Sequence, residues 1–380
     1  MPKEKVMKRF VTYTLILLFA GLVACKQKQK TETGEDITSV HIPTDSLKLI
    51  FFGDIMMHTA QIDGALLDGG DTLYNFDPPF QYIREYISTA DLALANLELT
   101  LGGKPYQGYP VFSSPPELIE ALKTSGFDVM FLANNHILDR GKKGFEQTLR
   151  VLSEGGLKYS GAFIDAQERR QDYPLLFETK TFRIAFLNYT YDTNGIVVSK
   201  PNIINYIDTM LLRKDMERAK ALHPDFIITY IHWGKEYMRT PSSQQRFLAE
   251  LIAEHGSDLI VGSHPHVIQP FDRIATKRGV TVPVIYSLGN LISNQRERYR
   301  DGGIAFEILL TKQNDSIQIA SLAYEPLWVN REEKGKRFVY RIIPVNDYLR
   351  HKSKYKLDKK QATTIQQFHT DTHKLLENLR

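Results

Sequence analysis

Cysteine is almost missing from this chain. Cys25 is the only one in 380 residues, which excludes intramolecular disulfides and cysteine-based metal ligation. A strong charge of one sign is lacking as well. The formal net charge is +4, of which Lys3, Lys5, Lys8 and Arg9 less Glu4 supply +3, so the remainder is near +1. That balance gives no basis for nucleic-acid binding. The leading apolar run, residues 10–24, is about 15 residues long, short of the roughly 20 that a spanning helix needs. Its basic approach is that of an export signal. No internal repeat is visible.

What remains has the apolar content of a globular protein. Residues 26–46 (KQKQKTETGED and its flanks) carry no apolar periodicity and read as a flexible tether. Short apolar runs then recur at 47–52, 91–97, 127–132, 182–188, 226–231, 259–261 and 284–286, each predicted to be a strand. Amphipathic patterns lie between several of them. One helix follows Gly141 with Phe145, Leu149 and Leu152 on one face and stops at Gly155-Gly156; others span 211–222 and 244–255. This alternation predicts an α/β fold with a layered, mixed β-sheet flanked by helices. Residues 303–327 read as consecutive strands, so the second half is partly antiparallel. Ile365, Phe368, Leu375, Leu376 and Leu379 fall in helical register. The expected organisation is a leader over 1–24, a tether over 25–46, one domain over 47–347 and a C-terminal helical appendage over 348–380.

Polar clusters sit just after those strands: GDIMMH (53–58), NLE (96–98), ANNHILDRG (133–141), IHWG (231–234) and GSHPH (262–266). They hold five of the eleven histidines together with carboxylates and amides. Imidazole and carboxylate are natural ligands of a borderline divalent metal. Strand carboxyl ends face one crevice in an open α/β sheet, so residues distant in sequence converge there. Each cluster alone also has a plainer reading. Gly53-Asp54 suits a turn, Asn134-Asn135-His136 suits a helix cap, and His232 suits a buried, hydrogen-bonded histidine. Their joint occurrence favours a metal site, because packing does not select His or Asp at strand ends.

The ordered set GD, carboxylate, NNH, HWG and GSHPH, followed by YSLGN (286–290), resembles the poly-γ-glutamate capsule-synthesis protein family of CapA and PgsA type. That family is similar to the calcineurin-like metallophosphoesterases, whose signature is Asp-x-His, Gly-Asp, Gly-Asn-His, a lone His and Gly-His-x-His. The likeness covers about residues 47–291 and implies a metallophosphoesterase-like fold. It implies metal ligation by Asp54, His58, Glu98, Asn135, His232, His264 and His266, with Asp54 a possible bridge between two ions. It also implies a general acid at His136, oriented by Asp139. This chain departs from the signature at Asp54-Ile-Met-Met-His58 and at Asn96-Leu-Glu98. Two ions of manganese, iron or zinc about 3.5–4 Å apart would activate water and clamp a reacting phosphoester, or equally an amide or ester carbonyl. Leu22-Val23-Ala24-Cys25 resembles a bacterial lipobox, which implies lipidation of Cys25 and anchoring in the cell envelope.

For an anionic polymer or phosphoester substrate, Arg140, Lys235 and Arg239 follow the ligand clusters closely. The loop 102–114 brings Tyr106 and Tyr109 after a ligand strand. Arg296, Arg298 and Arg300 read as an exposed turn. Two further functions stay open beside a hydrolase of capsule synthesis: a non-catalytic, polymer-holding partner of a membrane synthase, and a generic phosphoesterase.

Overall fold

Two mixed β-sheets stack face to face in the computed structural model, which describes residues 45–67, 73–314 and 316–379. In the first sheet, the parallel strands Asp45–Ile55, Leu92–Leu97, Val129–Phe131 and Lys158–Ser160 run side by side. The antiparallel strands Gly302–Gln313, Ser316–Lys334 and Arg337–Pro344 extend it on the other side. In the second sheet, Arg183–Thr190, Phe226–His232, Leu259–Ser263 and Thr281–Ile285 are parallel. Leu175–Glu178 and Phe271–Ala275 close its two edges in antiparallel pairing.

The period-two alternation of the strands explains the layering. In Asp45–Ile55, Leu49 and Phe51 face the second sheet while Ile50 and Phe52 face helices. Between the sheets, Phe131 stacks on Tyr230 with ring centroids 4.2 Å apart, and Phe51 lies 6.5 Å from the same ring. Helices Glu117–Thr124 and Gly141–Gly155 cover the outside of the first sheet. Thr209–Ala221 and Ser243–His255 cover the second. The order is therefore helix, sheet, sheet, helix.

Local signals set the element ends. Gly156 takes a left-handed φ of 73° and ends Gly141–Gly155, as a residue without Cβ does at little cost. Ser242 and Gln245 form a capping box at the start of Ser243–His255, and Asp358 and Gln361 form one at the start of Lys359–Leu375. Ile365, Phe368, Leu376 and Leu379 of the C-terminal segment are buried in the inter-sheet core with Phe51 and Leu310. The first strand starts at Asp45, inside the span expected to be tether. The leader, Cys25 and the rest of the tether lie outside the described residues. No helix among the described residues is long and apolar enough to cross a membrane.

Candidate metal centre

Asp54 is the next-to-last residue of the first strand, Glu98 follows Leu97, Asn135 and His136 come after Val129–Phe131, His232 ends its strand and His264 follows Ser263. All are carboxyl ends of parallel strands, and register brings them level. Asp54 pairs with Asn96 on one side and Asn290 on the other, and Ser263 pairs with His232.

Two sets of ligand atoms converge, each within 4.8 Å: Glu98, His264 and His266, and Asp54, Glu98 and His232. Glu98 belongs to both. Its Oε1 lies 3.7 Å from His232 Nε2 and 3.7 Å from His266 Nε2. Asp54, Glu98 and His232 are fully buried, and His264 and His266 are 2% and 1% exposed.

Neighbours fix each ring. His266 Nδ1 donates to Asp54 Oδ2 at 3.1 Å, which turns its Nε2 toward Glu98. His232 Nδ1 meets Ser263 Oγ at 2.9 Å, and its Nε2 meets Asn135 Oδ1 at 2.7 Å. Asn96 Nδ2 donates to Asp54 Oδ1 at 2.8 Å and to Glu98 Oε2 at 3.2 Å, while its own Oδ1 accepts from Asn134. Asn96 thus sets the separation of the two carboxylates. Sequence reading gave it no role, although it stands first in the NLE cluster.

Glu98 Oε1 and His264 Nδ1 are buried with no hydrogen-bond partner. A divalent cation is what this donor set of carboxylates and imidazoles fits, and it would satisfy both atoms. Electrostatics agree. Burial, with the like charge of Asp54 beside it, pushes the Glu98 carboxyl well above its usual range. Burial and the neighbouring histidines hold His232 and His264 well below the usual imidazole range, which favours the neutral rings that metal ligation needs. His264 and His266 both adopt left-handed backbone, with φ 95° and 57°. Positive φ is uncommon for non-glycine residues. The two histidines therefore sit in a tight turn that aims both rings at Glu98.

His136 adjoins this group. Its Nδ1 lies 2.8 Å from Asp139 Oδ2, which also accepts from Phe112 N at 2.8 Å. The Phe112 ring packs edge-on to His136 at 4.7 Å, so the loop 102–114 reaches the site through Phe112. Tyr191, half-exposed, lies 4.5 Å from the His264 ring, and Tyr237 lies 6.1 Å from His266 with the Arg300 guanidinium 4.0 Å above it. No motif marked either tyrosine.

The other predicted site residues lie around the rim or away from it. His58 belongs to neither converging set. Its Nδ1 meets Gln61 Oε1 at 3.2 Å and accepts from Asn294 N at 3.3 Å, and burial lowers its pKa to about 4. Arg140 donates to the carbonyls of Pro105 and Lys104 and so braces the 102–114 loop. Arg239 stacks on Tyr299 at 3.9 Å and points to Asp371 of the C-terminal helix. Lys235 and Tyr109 are exposed, and Tyr106 packs on Tyr74. The 296–300 turn is not simply exposed as expected. Arg296 donates to Val329 O at 2.8 Å, and Arg298 pairs with Asp301 and Asp371.

A family model described as bacterial capsule synthesis protein PGA_cap matches residues 48–295. Capsule biosynthesis protein CapA of Bacillus anthracis is 31% identical over 304 residues, 76% of this chain and 69% of that protein. PGA biosynthesis protein CapA of Bacillus subtilis is 28% identical over 302 residues, 77% of this chain and 74% of that protein. Among solved structures, the Haemophilus influenzae NAD nucleotidase NadN superposes with a TM-score of 0.51 at 14% identity, covering 88% of this chain and 68% of that one. This last likeness is one of fold. Together with the two-sheet architecture it bears out the layered, metallophosphoesterase-like α/β fold read from the sequence.

Proposed function

The chain belongs to the bacterial capsule synthesis protein PGA_cap family, and from that premise we propose that it is an envelope-anchored, metal-dependent hydrolase acting on an anionic substrate in capsule or poly-γ-glutamate synthesis. The observation that carries this reading is the convergence of Asp54, Glu98, His232, His264 and His266, with Glu98 common to both sets. Those five residues, with Asn135 beside His232, would hold one or two divalent ions, Glu98 being the shared ligand. When bound, such ions supply Lewis-acid polarisation and an activated water.

The remaining residues position and protonate. Asn96 holds the two carboxylates apart, and Asp54 holds His266 in its ligating tautomer. Asp139 fixes His136 through Nδ1, leaving Nε2 to deliver a proton to the leaving group. Tyr191 and Tyr237 flank the ligands and limit what enters. Lipidation at Cys25 would keep the domain at a membrane beside a synthase.

Hydrolysis of phosphodiesters and γ-glutamyl amides, measured on wild type, Asp54→Asn and His264→Ala, tests this reading. Metal-dependent turnover lost in both variants is expected. Turnover unchanged in both would overturn it.

A further inference from the structure

A second site is suggested by a wide cleft away from the metal ligands. It has a volume of about 1290 Å³ and opens between the hairpin Ser316–Lys334/Arg337–Pro344 and the helices Lys352–Tyr355 and Lys359–Leu375. None of the converging metal ligands lines it. Its walls carry the cations Arg296, Arg331, Arg341, Lys354, Lys356 and Lys360 and the carboxylates of Asp301, Glu332, Glu333 and Asp358.

Pairing decides what this balance leaves over. Glu332 is taken by Arg341 at 3.0 Å. Asp301 accepts from Trp328 Nε1 and pairs with Arg298, and Asp358 caps its helix by accepting from Gln361 N. On the other side, Lys354 pairs with Asp347. Arg296, Arg331, Lys356 and Lys360 have no carboxylate within ion-pair distance among the described residues. Arg341 Nε is also buried without a partner. Six cations thus face four carboxylates in the cleft, and the charges of Arg296, Arg331, Lys356 and Lys360 stand unpaired against those of Glu333 and the helix-capping Asp358.

We propose that this cleft binds a polyanionic chain bearing carboxylates spaced along a flexible backbone, held by Arg331, Lys356 and Lys360. Lysines suit a mobile carboxylate because an ammonium is a point charge with rotatable donors, while the Arg331 fork adds direction. A carboxylate chain fits better than a denser polyphosphate, since Glu332, Glu333 and Asp358 stand among the cations and would repel closely spaced charges. The cleft also touches the metal centre's surroundings. Arg331 Nη1 donates to Asn294 Oδ1 at 3.2 Å, and Asn294 N donates to His58 Nδ1 at 3.3 Å. A chain lying in the cleft thus passes one residue from the rim of the centre. The proposal rests on the hydrolase reading only in making this chain the polymer that reaches that rim.

The test is binding of fluorescently labelled poly-γ-glutamate to the full-length protein at low salt, read by anisotropy. Lys356→Glu/Lys360→Glu is compared with Lys352→Glu/Lys359→Glu, which makes the same charge change on nearby exposed positions that do not line the cleft. About tenfold weaker binding is expected for the first pair and less than about twofold for the second, with the gap closing as salt rises. Equal losses in both pairs, or none in either, would overturn the cleft. Tighter binding of polyphosphate of matched length would overturn the carboxylate occupant. His264→Ala separates the two readings. Binding retained in that variant while metal and hydrolysis are lost supports a separate groove, even where the wild type proves inactive as a hydrolase. Binding lost with the metal would place the polymer at the metal centre and refute the cleft.

Discussion

Glu98 Oε1 and His264 Nδ1 are buried atoms for which the folded chain provides no hydrogen bond, and each such atom costs roughly 1–3 kcal/mol. Glu98 adds a second carboxylate next to Asp54 in a fully buried place. These costs make sense as preparation for a cation. Glu98→Gln, which keeps the shape and removes the charge, should therefore stabilise the metal-free protein by about 1 kcal/mol or more. It should also abolish the rise in Tm that added manganese or zinc gives the wild type. Calorimetry with and without chelator checks both, and equal metal-induced gains in the two proteins would count against Glu98 as a ligand. Asp139 acts one step away. Asp139→Asn keeps an acceptor for Phe112 N but loses the charge that holds His136. Turnover should fall about 10- to 100-fold with metal content unchanged, and the alkaline limb of the pH–rate profile, where a general acid loses its proton, should move to lower pH. An unaltered profile would make Asp139 a purely structural partner of the loop.

Among the elements, residues 286–290 tie the ligand strands of both sheets together. Asp54 N donates to Gly289 O at 3.0 Å and Leu288 N donates to Gly262 O at 3.1 Å. A Cβ on Gly53 would lie 1.9 Å from Gly289 O, and one on Gly262 would lie 2.0 Å from Tyr286 O. The glycines of GD and GSHPH are there so that two backbones can touch. Gly53→Ala should then lower bound metal although every ligand is retained, and should cost about 2 kcal/mol or more of stability. Full occupancy in that variant would show that the strand can shift without disturbing Asp54. A second junction carries a pH dependence. Glu325, on the long strand Ser316–Lys334, accepts from Asn346 N and Nδ2 at 2.7 Å each, and burial pushes its carboxyl up to about 7. Because the folded value lies above the unfolded one, the contribution to stability is full below about pH 4.5. It is lost as pH rises toward about 7, by roughly 2–3 kcal/mol. Urea melts of Glu325→Gln should show a flatter pH dependence than wild type over that window; identical slopes would refute the assignment.

On the scale of the whole molecule, most strands and the order of ligand clusters were legible in the sequence. Apolar runs of strand length ended in Asp, Asn or His at Asp54, Asn135 and His232, and the unbroken apolar run 49–52 suits a strand covered on both faces. What was not legible depended on contacts between sheets. Nothing local tells that Asn96 spans Asp54 and Glu98, or that Tyr191 lies on His264, because those neighbours come from strands far apart in the chain. The left-handed backbone at His264 and His266 was hidden as well, since the Ser-His-Pro-His spacing also fits an extended segment. Arg296 and Arg298 looked solvated because their distant partners, Val329 and Asp371, are supplied by the hairpin and the C-terminal helix. The 45–46 boundary moved because Asp45 and Ser46 pair with Lys312 and Thr311 on a strand more than 250 residues later.

Elemental analysis of the purified full-length protein, wild type beside His264→Ala, tests the central claim most directly. The account predicts near-stoichiometric transition metal in the wild type and a clear fall in the variant, whose folded content stays the same by circular dichroism. Wild-type protein that holds no metal, even after reconstitution with manganese or zinc, would contradict it.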